Sequence, residues 1–120
     1  MNPVSLAITS SEFITIADAN SASLISFNNA VLIQNRIKYL PVGSSKLASS
    51  GNVVYVLDKS ANTIRVFDEN LAYKGSYKLP MEANQFAAFS VYKDAFYILT
   101  KERVIVCSKD MPRILPTEKK

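Results

Sequence analysis

The 120-residue sequence has no histidine, no tryptophan, a single cysteine and three glycines. Each scarcity excludes something. Without histidine the chain lacks the side chain most often used as a general base and as a transition-metal ligand. One cysteine, Cys107, rules out an internal disulfide framework and, with no histidine beside it, the usual zinc sites. Gly43, Gly51 and Gly75 do not have the neighbours that a phosphate-cradling loop requires. No apolar run approaches the roughly 20 residues of a membrane-spanning helix. The first residues, Met-Asn-Pro-Val-Ser-Leu, show no basic stretch followed by an apolar core, so no signal peptide is expected and a cytoplasmic or particle-borne location is.

Charge is scarce in one place. Net charge is +4, yet no Lys or Arg precedes Arg36. Residues 1–44 carry Arg36, Lys38, Glu12 and Asp18, and the other twelve basic residues lie at or after Lys46. A nearly uncharged first third, rich in Ser, Asn, Ile and Leu, reads either as a surface buried against a partner or as a solvated Ser/Asn-rich sheet.

What the chain has in abundance is β-branched and aromatic runs broken by polar turns. The clearest is Asn52 to Pro80. Val53–Leu57 is continuously apolar, as in a strand buried on both faces. After the turn residues Asp58–Asn62, the segment Thr63–Phe67 alternates, with Ile64 and Val66 on one face and Arg65 and Phe67 on the other. Asp68-Glu69-Asn70 turns the chain again, and Ala72–Leu79 is a more polar strand expected at a water-facing edge guarded by lysines. With a short strand about Lys46–Ala48, this makes a four-stranded antiparallel meander of roughly 35 residues, the size of one β-propeller blade.

The pattern recurs. In the first unit the strands are expected at Val4–Thr9, Phe13–Ala17, Ser23–Phe27 and Val31–Leu40; an offset of 40 lays Asp18 on Asp58, Leu24 on Ile64 and Phe27 on Phe67. In the third they are expected at Phe86–Val91, Ala95–Leu99, Arg103–Cys107 and a short Pro112–Leu115; Tyr97 falls on Tyr55 and Leu99 on Leu57. Each unit closes on a Leu-Pro pair, at Leu40-Pro41, Leu79-Pro80 and Leu115-Pro116. The expected organisation is a single all-β domain with units at about 4–41, 45–80 and 86–116 and a tail at 117–120. A closed β-barrel or a β-sandwich is the alternative.

The central unit resembles an NHL-type or YVTN-type propeller repeat through Gly51-Asn52-Val53-Val54-Tyr55-Val56, Asp58, Asn62, Ile64, Val66, Phe67 and Asp68. That resemblance implies a platform for ligands, proteins or RNA, with some enzymes among its members and no family-wide catalytic residue. Propellers close with about four to eight blades. Three blades leave two open sheet faces, which leads to the expectation of half a six-bladed propeller: a homodimeric ring, a larger ring, or a part of another assembly.

Candidate sites are few. Asp18 and Asp58 read as turn carboxylates before they read as cation ligands near the axis. Asp68, Glu69 and Asp110 read as hairpin-turn carboxylates. Cys107 reads as a core residue. Lys101, Arg103, Lys109 and Arg113, with Tyr92 and Tyr97 near them in sequence, are the candidates for contact with single-stranded nucleic acid; the plain alternative is a solvated basic edge. No cofactor or metal is expected. The sequence thus points to a protein that is not an enzyme: a structural or interaction subunit that self-associates, as a viral tail or capsid component does, with a nucleic-acid-binding module as the alternative. Small-ligand binding between blades rests on fold analogy alone.

Overall fold

A computed structural model describes residues 3–28, 33–38, 45–58, 61–79, 86–93, 95–100, 103–108 and 113–114. Among them are twelve strands in three antiparallel sheets, and within each sheet sequential hairpins join all the strands except the last of the chain. These are propeller blades, and neither the closed barrel nor the sandwich is formed. The first blade holds β1 (Pro3–Ile8), β2 (Phe13–Asp18), β3 (Ser23–Asn28) and β4 (Ile33–Lys38), in that order. The second holds β5 (Ser45–Ser50), β6 (Val53–Asp58), β7 (Thr63–Asp68) and β8 (Tyr73–Lys78). The third holds β9 (Phe86–Tyr92), β10 (Ala95–Thr100) and β11 (Val104–Ser108). The first strands, β1, β5 and β9, are spatial neighbours and form the inner side of the stack.

The last strand, β12 (Arg113–Ile114), departs from expectation. It does not complete the third blade but pairs antiparallel with the outer strand of the second, Arg113 opposite Tyr77 and Ile114 opposite Ser76. The second sheet therefore has five strands and the third has three. The expectation that β8 is an unpaired edge is corrected by the same observation. Lys74 and Lys78 are exposed, but between them Gly75, Ser76 and Tyr77 are buried, and the short pairing falls on that gap. The Leu-Pro pairs lie outside the described residues except for Leu79, which is buried.

Hairpin geometry repeats with the sequence. Asp18 and Asp58 end the second strands, and four residues later Ala22 and Asn62 both take left-handed backbone, at φ 51° and 55°. Asn adopts this region readily, while alanine pays a steric cost. Leu71 (φ 68°) is also left-handed, and its buried side chain joins the core between the first two blades.

Directly opposed residues in a ladder share one face of a sheet, so each blade has one face toward its predecessor and one toward its successor. The core is two interfaces. Ala7, Ala17 and Leu24 of the first blade meet Leu47, Val54, Val56 and Phe67 of the second. Tyr55, Leu57, Ile64, Val66 and Tyr77 of the second meet Val91, Phe96, Ile98, Ile105 and Cys107 of the third. Val53–Leu57 serves both interfaces, which is why that run has no polar residue. Phe96 sits edge-on to Tyr55 and Tyr77, with ring centroids 5.3 and 5.2 Å apart. The first interface is also laced by polar contacts: the Leu47 N–H donates to Ser5 Oγ (2.9 Å), and Ser49 Oγ to the Ile8 carbonyl (2.5 Å). At one end Ser10 and Ser11 hydroxyls donate to Asn52 Oδ1 at 2.6 and 2.9 Å, and Thr9 Oγ1 donates to Glu69.

Candidate interface at the open blade faces

Among the described residues no blade lies against the two end faces of the stack, and both carry exposed apolar rows. On the first blade the face away from the second carries the ladder rows Leu6–Ile16–Ile25 and Ile8–Ile14–Phe27. Leu6 and Ile8 are 55% and 54% exposed, Ile14, Ile16 and Phe27 are half-buried, and Ile25 is buried. The three strands that carry these apolar rows are the stretch in which Lys and Arg are missing from the sequence; on β4 the Ile25 row ends at the exposed Arg36.

On the third blade the outer face carries Ser90–Tyr97–Val106 and Ala88–Leu99–Val104. Val104 and Val106 are each 58% exposed and Leu99 is 44% exposed. A depression of about 270 Å³ opens on this face, lined by Ala88, Phe89, Ser90, Tyr97, Leu99 and Val104.

The outer face repeats a buried one. Tyr97–Val106 and Leu99–Val104 occupy the ladder positions that Tyr55–Val66 and Leu57–Ile64 occupy in the second blade. There Leu57 and Ile64 are wholly buried. On the other end, Ile14–Phe27 and Ile16–Ile25 stand where Phe96–Cys107 and Ile98–Ile105 stand in the third blade. What the chain leaves open at its ends is thus what it buries between its second and third blades. Sequence reasoning predicted open faces from the blade count. Which residues form them became visible with the ladder registers.

The carboxylates behave as turn residues. Asp18 accepts from the Asn20 N–H (3.2 Å) and from Ser21 Oγ (2.7 Å). Asp58 is buried and pairs with Arg65 at 3.3 Å across the β6–β7 ladder. Asp68 accepts from the N–H groups of Asn70 (2.8 Å) and Ala72 (2.9 Å), while Glu69 receives the Thr9 hydroxyl. Asp110 lies outside the described residues. Among the described residues no group of three or more His, Cys, Asp or Glu is placed to hold a metal. Cys107 is buried in the interface between the second and third blades, and burial pushes its thiol pKa up, away from the reactive thiolate.

Of the basic candidates, Lys101 and Lys109 lie outside the described residues. Arg103 is exposed at the β10–β11 turn, where its backbone N–H donates to Thr100 Oγ1 at 3.1 Å. Arg113 is on β12, in the second sheet. Arg103 and Arg113 are thus held by different blades. Among the described residues no helix is long and apolar enough to cross a membrane.

No protein-family model and no curated protein matches the sequence. Solved structures do match the fold. A streptogramin B lyase superposes with a TM-score of 0.69 at 12% identity, over 98% of this chain and 42% of the lyase. The virginiamycin B lyase of Staphylococcus aureus superposes with a TM-score of 0.68 at 15% identity, again over 98% and 42%. At such identities the likeness is one of fold: this chain is a run of propeller blades that spans 42% of the length of those enzymes. The expectation of a protein that is not an enzyme is overturned here. Solved proteins that share its fold are lyases, so the blade architecture does not set the chain apart from enzymes.

Proposed function

We propose that this protein is an assembling propeller module, which buries its two open blade faces against further blades and acts as part of the completed ring. One observation carries the reading: both end faces present, at the same ladder positions, the side-chain types that the chain buries between its own blades. An exposed apolar patch of this kind, flanked by polar turns, marks an interaction surface. The charge-poor first third fits the same role, since charged residues are depleted at interface cores. Enzyme chemistry on the completed ring, as in the lyases of similar fold, is compatible with it. The NHL-type or YVTN-type character of the repeats belongs to the same reading and is supported by the Gly51–Val56 motif.

The test is to place a charge on each face separately. Leu6→Lys and Val106→Lys are exposed positions, where the fold tolerates lysine. Sedimentation velocity over a concentration series is expected to show self-association of the parent chain and its loss by at least tenfold in affinity in either variant. Association unchanged in both variants would overturn the proposal.

A further inference from the structure

The open faces differ from one another, and the difference selects a pairing. Resting on the assembly reading above, we infer that the occupant of the third blade's outer face is the first blade of a second copy, bound head to tail, with Ile14 of one copy seated in the depression beside Tyr97 of the other.

The interface between the second and third blades is the template. Its second-blade side is Tyr55, Leu57, Ile64 and Val66, and its third-blade side is Phe96, Ile98, Ile105 and Cys107. At matching ladder positions the chain's outer end offers Tyr97, Leu99, Val104 and Val106, and its opening end offers Ile14, Ile16, Ile25 and Phe27. The first set differs from its template by one methylene, at Val104 for Ile64. The second retains isoleucine at two positions and exchanges the aromatic ring from the Phe96 position to the Cys107 position, where Phe27 stands. Both are sets of one ring and three smaller apolar groups, so the volume to be packed is nearly conserved.

Pairing like with like does not reproduce the template. Two outer faces would bring two copies of the Tyr97, Leu99, Val104 and Val106 set together, with no counterpart of the Phe96, Ile98, Ile105 and Cys107 side of the template. Within the chain, Phe96 packs against Tyr55 at 5.3 Å between ring centroids. Its counterpart, Ile14, comes to Tyr97 only if the two ends of different copies meet.

A head-to-tail interface closes into a ring or runs on as a filament, according to its rotation. Two copies supply six blades. Three blades over 42% of the lyase chain correspond to about seven such units per full turn. A seven-blade pitch is about 51° and a six-blade pitch about 60°, a difference within the four-to-eight-blade range of the architecture. Closure at two copies therefore asks about 9° more at each junction, from blades that the fold already assembles at both pitches.

The experiment uses the full chain with Cys107→Ala as background. Ile14→Cys and Tyr97→Cys are made separately, mixed, and treated with a short bismaleimide. Linked dimer is expected in the mixture, at least tenfold above either variant alone, and sedimentation of the uncrosslinked parent should show a closed dimer. The pair Ile16→Cys and Leu99→Cys repeats the test at a neighbouring row, should the first pair fold poorly. Linking within each variant alone would overturn the inference in favour of a symmetric face-to-face dimer. A dimer in sedimentation with no link in either mixture would also overturn it while leaving the assembly reading intact. An open-ended ladder of masses would overturn closure at two copies, and a monomer at every concentration would overturn both readings.

Discussion

Removing the Phe96 ring should cost more stability than any other single truncation between the second and third blades. Phe96 is fully buried, edge-on to Tyr55 and Tyr77 and 6.2 Å from the ring centre of Phe89. A buried Phe→Ala change costs about 3–5 kcal/mol, from lost transfer energy and the cavity left behind. Two edge-to-face partners, each worth about 0.5–1.5 kcal/mol beyond area, place Phe96→Ala at the upper end of that range. Against a total of about 5–15 kcal/mol for a domain, this is a large fraction. The assay is urea denaturation followed by far-ultraviolet circular dichroism, at one fixed protein concentration because association adds to apparent stability. Ile14→Ala is the control. It holds the same ladder position on the open end of the stack and is half-buried, so below the association range it should cost about 1 kcal/mol or less. A cost below about 1 kcal/mol for Phe96→Ala would refute the packing described between these blades. Equal costs for the two variants at high dilution would refute the distinction between buried and open faces.

Three further outcomes follow from particular residues. Ala22 holds left-handed backbone at φ 51°, where Asn62 stands in the next blade, so Ala22→Asn should raise stability by about 0.5–1 kcal/mol in the same denaturation assay. Thr15 is fully buried and its hydroxyl has no hydrogen-bond partner among the described residues; Thr15→Val should stabilise by about 1 kcal/mol, read as a shift in the urea midpoint. Burial raises the Cys107 pKa in the folded chain above its ordinary 9.0. The folded state thus keeps a proton that the unfolded state releases, and the stability tied to that proton is complete below pH 9 and is lost as pH rises through the folded value. Cys107→Ala should therefore flatten the decline of stability above pH 9, measured as the difference between variant and parent so that the tyrosines and lysines cancel.

Much of the fold was legible in residues 45–80, because strand runs and turn residues there agree with each other. Val53–Leu57 read as doubly buried, and it is the strand that serves both interfaces. The offset of 40 was legible too, and it extends to the backbone of Ala22 and Asn62. The destination of Arg113–Ile114 was not. A two-residue strand carries no periodicity, and the edge it joins is set by which open edge lies near, not by its own sequence. The open faces were legible as a count of blades but not as surfaces. Leu6, Ile8, Val104 and Val106 look the same in sequence as the buried residues they imitate, and it takes the sheet order to show that no blade among the described residues covers them. The basic residues illustrate the opposite error: Arg103 and Arg113 are ten positions apart in sequence, yet different sheets hold them.

Solution mass shows whether the open faces of this propeller segment bind blades. Static light scattering on the purified chain, across a dilution series from high to low concentration, should give a mass near twice 13.3 kDa that falls toward 13.3 kDa on dilution. A well-behaved species of 13.3 kDa at every concentration would mean that the open faces bind no second copy.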